Sequence, residues 1–142
     1  MTVKDLLKMS HDDLDALFKT LKSGPIPDGL AKGTAIIGAG RSFSDEIAQL
    51  VNIFAWQGKV FDAKRRVLRN KILPFGLKAI VATVSKAPSL IDQKECILID
   101  YSNTSLIAQR VRDEVRRIAP KLYLGKVYWD GRPLIHFALE LP

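Results

Sequence analysis

KLYLGKVYWDGRPLIHFALEL, residues 121–141, decides the fold. Two runs of alternating residues flank Asp130-Gly131. An Asp-Gly pair between such runs is a strong hairpin signal, because a two-residue hairpin turn wants positive φ at both central positions. In the first run Tyr123, Val127 and Trp129 share one face, and Leu122, Leu124 and Tyr128 the other. In the second run Ile135, Phe137, Leu139 and Leu141 make a clean apolar face. Leu134, His136, Ala138 and Glu140 make a mixed one. A period of two is the mark of half-buried strands.

The same texture recurs upstream, over residues 33–38, 56–62, 65–73, 77–86 and 94–101. Turn signals separate these runs: Asp62-Ala63-Lys64, Pro74-Phe75-Gly76 and Ala87-Pro88-Ser89. Strands joined mostly by hairpins predict an antiparallel sheet that curls or closes. The expected class is α+β, mainly antiparallel β: a curled sheet or closed barrel of about 6–8 strands with two or three covering helices.

Three helices are expected. Ser10 and Asp13 read as an N-cap pair, followed at helical spacing by Leu14, Leu17, Phe18 and Leu21. Gly24, Pro25 and Pro27 stop that helix. A second is expected over 44–55, after Gly38-Ala39-Gly40 and a capping serine. GAGRSFSDE there lacks both G-x-G-x-x-G and G-K-[ST], so it reads as an ordinary strand-to-helix turn rather than a nucleotide loop. Ile107, Val111, Val115 and Ile118 form a stripe that predicts a third helix over 104–118, ended by Pro120. The chain reads as one domain, with 1–32 a helical extension and turn and 33–142 the barrel.

Composition narrows the function classes. Lys and Arg total 22 against 15 acids, a net charge of +7. Residues 57–86 hold eight of the bases against Asp62 alone, so this stretch carries the whole excess. A basic stripe can attract nucleic acid, but this one has few stacking aromatics and no RNA-binding signature. No apolar run is long enough to span a bilayer. The first residues are too charged for a signal peptide, and Cys96 is the single cysteine. A reducing cytoplasm is the expected location, without disulfide, cysteine metal cluster or cofactor. No oligomeric state is specified by the sequence.

The motifs WxGKxF (56–61), DYSxTS (100–105) and RDExRxxxPxLYLGxxYW (112–129), with the ending IHFALEL, resemble a family of small, largely uncharacterised microbial proteins with lipocalin-like members. The resemblance spans residues 24–141. It implies a barrel entered through a Trp-x-Gly-Lys turn and a small hydrophobic ligand. The chain is expected to depart from secreted lipocalins, with neither leader nor disulfide and with a charged helix among its late strands.

Candidate site residues follow from the faces. Asp100, Tyr101 and His136 are candidate acid–base groups, since an ionisable side chain in an apolar cavity has its pKa moved by desolvation. Asp100 also reads as a turn cap, and His136 as a strand histidine on the wet face. Arg112 and Arg116, four apart, suit a carboxylate or phosphate on a ligand. They read equally as a solvated face, or Arg112 as a partner of Asp100. Trp56, Lys59, Tyr128 and Trp129 are candidate ligand contacts. Lys59 also reads as a barrel plug or as a cation stacked on Trp56. His11 and His136 lie far apart in sequence and make no metal signature. The reading that follows is a binder of a small hydrophobic or amphipathic molecule, such as a lipid, isoprenoid or polyketide. Acid–base isomerisation or cyclisation in the same cavity is the alternative, and nucleic-acid binding the third.

Overall fold

A computed structural model describes residues 1–37, 59–70, 81–100 and 110–142. The described residues form helices α1 (Val3–Leu7) and α2 (His11–Thr20) and eight strands. These are β1 (Gly29–Ile36), β2 (Lys59–Asp62), β3 (Val67–Asn70), β4 (Val81–Pro88), β5 (Glu95–Asp100), β6 (Val111–Ala119), β7 (Leu122–Trp129) and β8 (Arg132–Glu140). Every neighbour pair is antiparallel and in chain order, and β8 pairs with β1 to close the barrel. Closure removes both sheet edges, which is how an all-antiparallel sheet avoids edge-to-edge association.

The β7–β8 hairpin turns where the sequence says it should. Asp130 and Gly131 have φ of 49° and 79°, and Trp129 pairs with Arg132 across the turn. Alternation then sorts the side chains. Tyr123, Val127, Ile135, Phe137 and Leu139 join Ala31, Phe61, Leu68, Val84, Ile97, Val115 and others in the core enclosed by the strands. Leu122, Leu124, Ala138, Cys96 and Ile36 face outward, where Leu6, Leu14 and Phe18 of the helices cover them. Where these side chains meet, the wall is apolar on both sides.

Both helices start on side-chain caps. The Ser10 hydroxyl accepts the Asp13 amide at 3.1 Å, and Thr2 and Asp5 form a full capping box for α1. Beyond α2 the chain folds under one end of the barrel. Tyr123 Oη donates to the Pro25 carbonyl at 2.8 Å, Lys86 Nζ donates to Gly24 O and Ser23 Oγ, and Ile26 packs on the enclosed core. Gly24 is required there. Its φ is +69°, and an added Cβ would lie 2.7 Å from the Arg117 side chain.

The helix expected over 104–118 is overturned where the structure describes it. Val111–Ala119 is strand β6, paired to β5 and β7. Val111 and Val115 face the enclosed core, while Ile118 packs outside with the helices. The apparent stripe therefore mixes two buried faces. Residues four apart share a face in strand and helix alike, so Val111 and Val115 could not discriminate. Residues 104–109 of that expected helix, and the one over 44–55, lie outside the described residues.

Gly125 marks a close approach inside the barrel. A Cβ there would sit 2.1–2.4 Å from three atoms of the Phe137 ring, its partner across the β7–β8 register. Gly125→Ala is expected to destabilise by about 1–3 kcal/mol, the usual cost of forcing an extra carbon into a close-packed contact. Adding Phe137→Leu should recover part of the loss, measured as the denaturation midpoint of the single and double variants. Additive losses would show that the two positions do not touch.

Candidate functional site

The enclosed space is unevenly lined. On β1 the inward positions are Ala31, Gly33 and Ala35, and on β4 Ala82 adds another small side chain. Phe61, Tyr123 and Phe137 supply bulk elsewhere on the wall. Asp113 is the exception. It alternates with Val111 and Val115 on the inward face of β6 and is 1% exposed. Trp129 packs against the core at the end away from Pro25, with the Arg110 guanidinium 5.7 Å from its ring centre.

The candidate residues scatter over this frame. Asp100 and Arg112 stand opposite each other in the β5–β6 register, on the outer face with Cys96. His136 and Tyr128 are also on outer-face positions, buried. Asp100 and His136 therefore do not line the enclosed space, and β6 and β7 lie between their strands. Lys59 opens β2, opposite Ala31 and Asn70. Trp56 and Tyr101 lie outside the described residues. Burial pushes the Tyr128 phenol well above its usual range, and Glu114 adds to it. Lys126 Nζ sits 5.4 Å from the Tyr128 ring centre.

Arg116 is neither solvated nor placed for a ligand. It is 0% exposed, and all five of its N–H groups have acceptors. Nε donates to Glu95 O. Nη1 donates to Phe18 O at 2.9 Å and Asp92 Oδ2 at 2.8 Å. Nη2 donates to Asp92 Oδ1 at 2.7 Å and Lys94 O at 3.0 Å. The bonds from Arg116 hold the Asp92 carboxyl down at about 2. Two residues away, buried Glu114 accepts from Ser89 Oγ at 2.5 Å, from the Leu90 amide at 2.9 Å and from Arg112 Nε at 2.9 Å. Arg112 Nη2 reaches the Pro88 carbonyl. The outward side chains of β6 thus clasp the β4–β5 turn onto the barrel.

A second polar cluster joins α2 to the outer wall. His136 Nε2 lies 2.8 Å from Asp15 Oδ1, and the same oxygen accepts from Lys126 Nζ at 2.6 Å. His136 Nδ1 lies 2.9 Å from His11 Nδ1. Burial pushes the His136 imidazole down to about 4, against the pull of Asp15. For Asp15, burial works upward, but the bonds from Lys126 and His136 outweigh it and leave the carboxyl below its ordinary value. Beside this cluster is a pocket of about 210 Å³, also lined by Asp12, Pro133, Leu134 and Ile135.

Of this cluster the sequence singles out His136, and it shows His11 only as a residue far from it along the chain. The available signal was a strand histidine two positions from Ala138 on a face that α2 must cover. Glu114 was legible only as a charge. Among the described residues, no group of three or more His, Cys, Asp or Glu is arranged to hold a metal, and no helix is long and apolar enough to cross a membrane. The stretch 57–86 is not one solvated stripe: Lys64, Arg65 and Arg66 are exposed in the β2–β3 turn, whereas Lys86 is tied to Ser23 and Gly24.

No family model matches the chain, and no curated protein does. A solved structure of a protein from Thermomonospora curvata is similar, with TM-score 0.65 over 95% of this chain and 89% of that one, at 16% identity. That likeness shows the fold: a closed, eight-stranded antiparallel barrel with helices packed on its outer wall, an architecture compatible with ligand binding.

Proposed function

We propose that the barrel binds a small hydrophobic or amphipathic molecule, of lipid, isoprenoid or polyketide type, in the space its strands enclose. The observation that carries this reading is the run of small inward residues, Ala31, Gly33 and Ala35 with Ala82, facing aliphatic and aromatic walls. Small closed barrels hold one apolar ligand when their inward side chains do not fill them. The segment through Pro25 covers one end of that space. Asp113 offers a hydroxyl-bearing head a polar contact part-way along the wall. The resemblance to lipocalin-like proteins supports the same reading.

Titration with anilinonaphthalene sulfonate, an environment-sensitive apolar dye, tests it. The protein is expected to enhance the dye's emission saturably. Ala35→Leu, which fills the β1 wall, is expected to weaken binding about tenfold, or about 1.4 kcal/mol, with the far-UV circular dichroism unchanged. Equal binding by the filled variant would rule out the enclosed space.

A further inference from the structure

We infer that the His11–His136 contact is an acid-released latch that holds the start of α2 on the barrel wall: one proton between the two rings closes it, and a second opens it. The geometry carries this. The ring nitrogens are 2.9 Å apart, and the ring centres 5.0 Å, so the rings meet nearly nitrogen to nitrogen. A neutral imidazole has one donor and one acceptor nitrogen. Asp15 Oδ1 accepts from His136 Nε2, which assigns the proton of neutral His136 to that nitrogen and leaves Nδ1 as the acceptor. His11 Nδ1 must then donate. The network fixes this order of protons: Asp15 carboxylate, His136, His11.

Protonating His136 puts a second N–H into the same 2.9 Å gap. Both rings would then be donors facing each other. The surroundings decide whether the site tolerates this. From α2, His136 meets His11 and Asp15, with Asp12 across the pocket. From β7 it meets the Lys126 ammonium. From β1 its register neighbour is Ile36, which carries no charge. Among the described residues, Asp15 is the group bonded to His136 that would favour the added charge, and its Oδ1 already serves both Lys126 and His136 Nε2. The ring is 2% exposed, so water cannot take the second N–H without movement.

The movement has a defined place. Phe18 O is held by Arg116 Nη1 at 2.9 Å, and the Arg116 guanidinium lies 4.6 Å from the Phe18 ring centre. That anchor does not titrate near neutral pH, because arginine stays charged. Acid therefore frees the first turn of α2 at His11, while Asp15, still bonded to Lys126, and Phe18 stay pinned. The Leu14 amide donates to Ser10 O at 2.9 Å across that first turn, so its protection reports the release.

Amide hydrogen exchange, corrected for the intrinsic effect of pH, tests the latch on the whole chain. Between about pH 7 and about pH 4, the protection of amides near Leu14 is expected to fall at least about tenfold, while amides of β7 and β8 keep theirs. His11→Gln should remove that pH step, since a glutamine amide can either donate to His136 Nδ1 or accept from it. His136→Gln should remove it as well. A step of undiminished size in both variants, or loss of protection in α2 and the barrel strands together, would overturn the latch. The readout does not involve the enclosed space, so it stands or falls apart from ligand binding.

Discussion

Arg116→Ala is expected to lower the unfolding free energy by about 3–5 kcal/mol, the range seen when one partner of a buried ion pair is removed. Asp92 would lose both bonds to the guanidinium, and the carbonyls of Phe18, Lys94 and Glu95 would each lose the bond it donates. Three structural units meet on this one side chain: the end of α2, the β4–β5 turn and β6. Alanine also leaves a cavity where a 0%-exposed arginine lay against the Phe18 ring. Arg116→Lys should fall between wild type and alanine. It keeps a charge for Asp92 but cannot reproduce the planar fork with five donors. Urea denaturation of the three proteins checks this. A loss below about 1 kcal/mol for alanine would place Arg116 with ordinary surface ion pairs.

The contrast between Arg116 and the hairpin 121–141 shows what a sequence exposes. Turn chemistry and alternation are local, so Asp130-Gly131, Ser10 and Gly24 announced their conformations directly. The strands that alternate apolar and polar residues were legible for the same reason. Val111–Ala119 was not, because its inward face carries Asp113 and its outward face holds charges that are buried. Its alternation was thus hidden in the polar residues. A run read as Arg-Asp-Glu-Val-Arg-Arg suggests a solvated helix until the β4–β5 turn is laid over it. Asp113, Glu114 and Arg116 are 1% exposed or less. Long-range pairing was the other missing element. Nothing local links His11 to His136, and the two come together because α2 must cover Leu122, Leu124 and Ala138. The pattern that predicted α2 also required some wall for it to cover, without naming which residues would meet it.

Stability is expected to fall as the pH drops from about 6.5 toward about 4. His136 has its imidazole pushed from 6.5 down to about 4 in the folded chain. The unfolded chain then binds the proton first, so folding is favoured above the unfolded value and loses that advantage as pH falls through the window. At about 1.4 kcal/mol per unit, His136 alone contributes a loss of about 3 kcal/mol. The lowered Asp15 carboxyl acts in the same direction at more acid pH, where its unfolded form takes a proton before the folded one. Urea midpoints measured through this range should decline in the wild type and much less in His136→Gln. The shape of the decline carries more than its size. If α2 stays docked until the barrel unfolds, the loss continues down to the folded pKa. If the His11–His136 contact opens first, the released imidazole titrates as it does in the unfolded chain, and the curve levels off early. The pH at which it levels then reports the cost of lifting α2 from the wall. A curve that does not change when His136 becomes glutamine would assign the acid sensitivity to other groups and deny His136 its buried, neutral state.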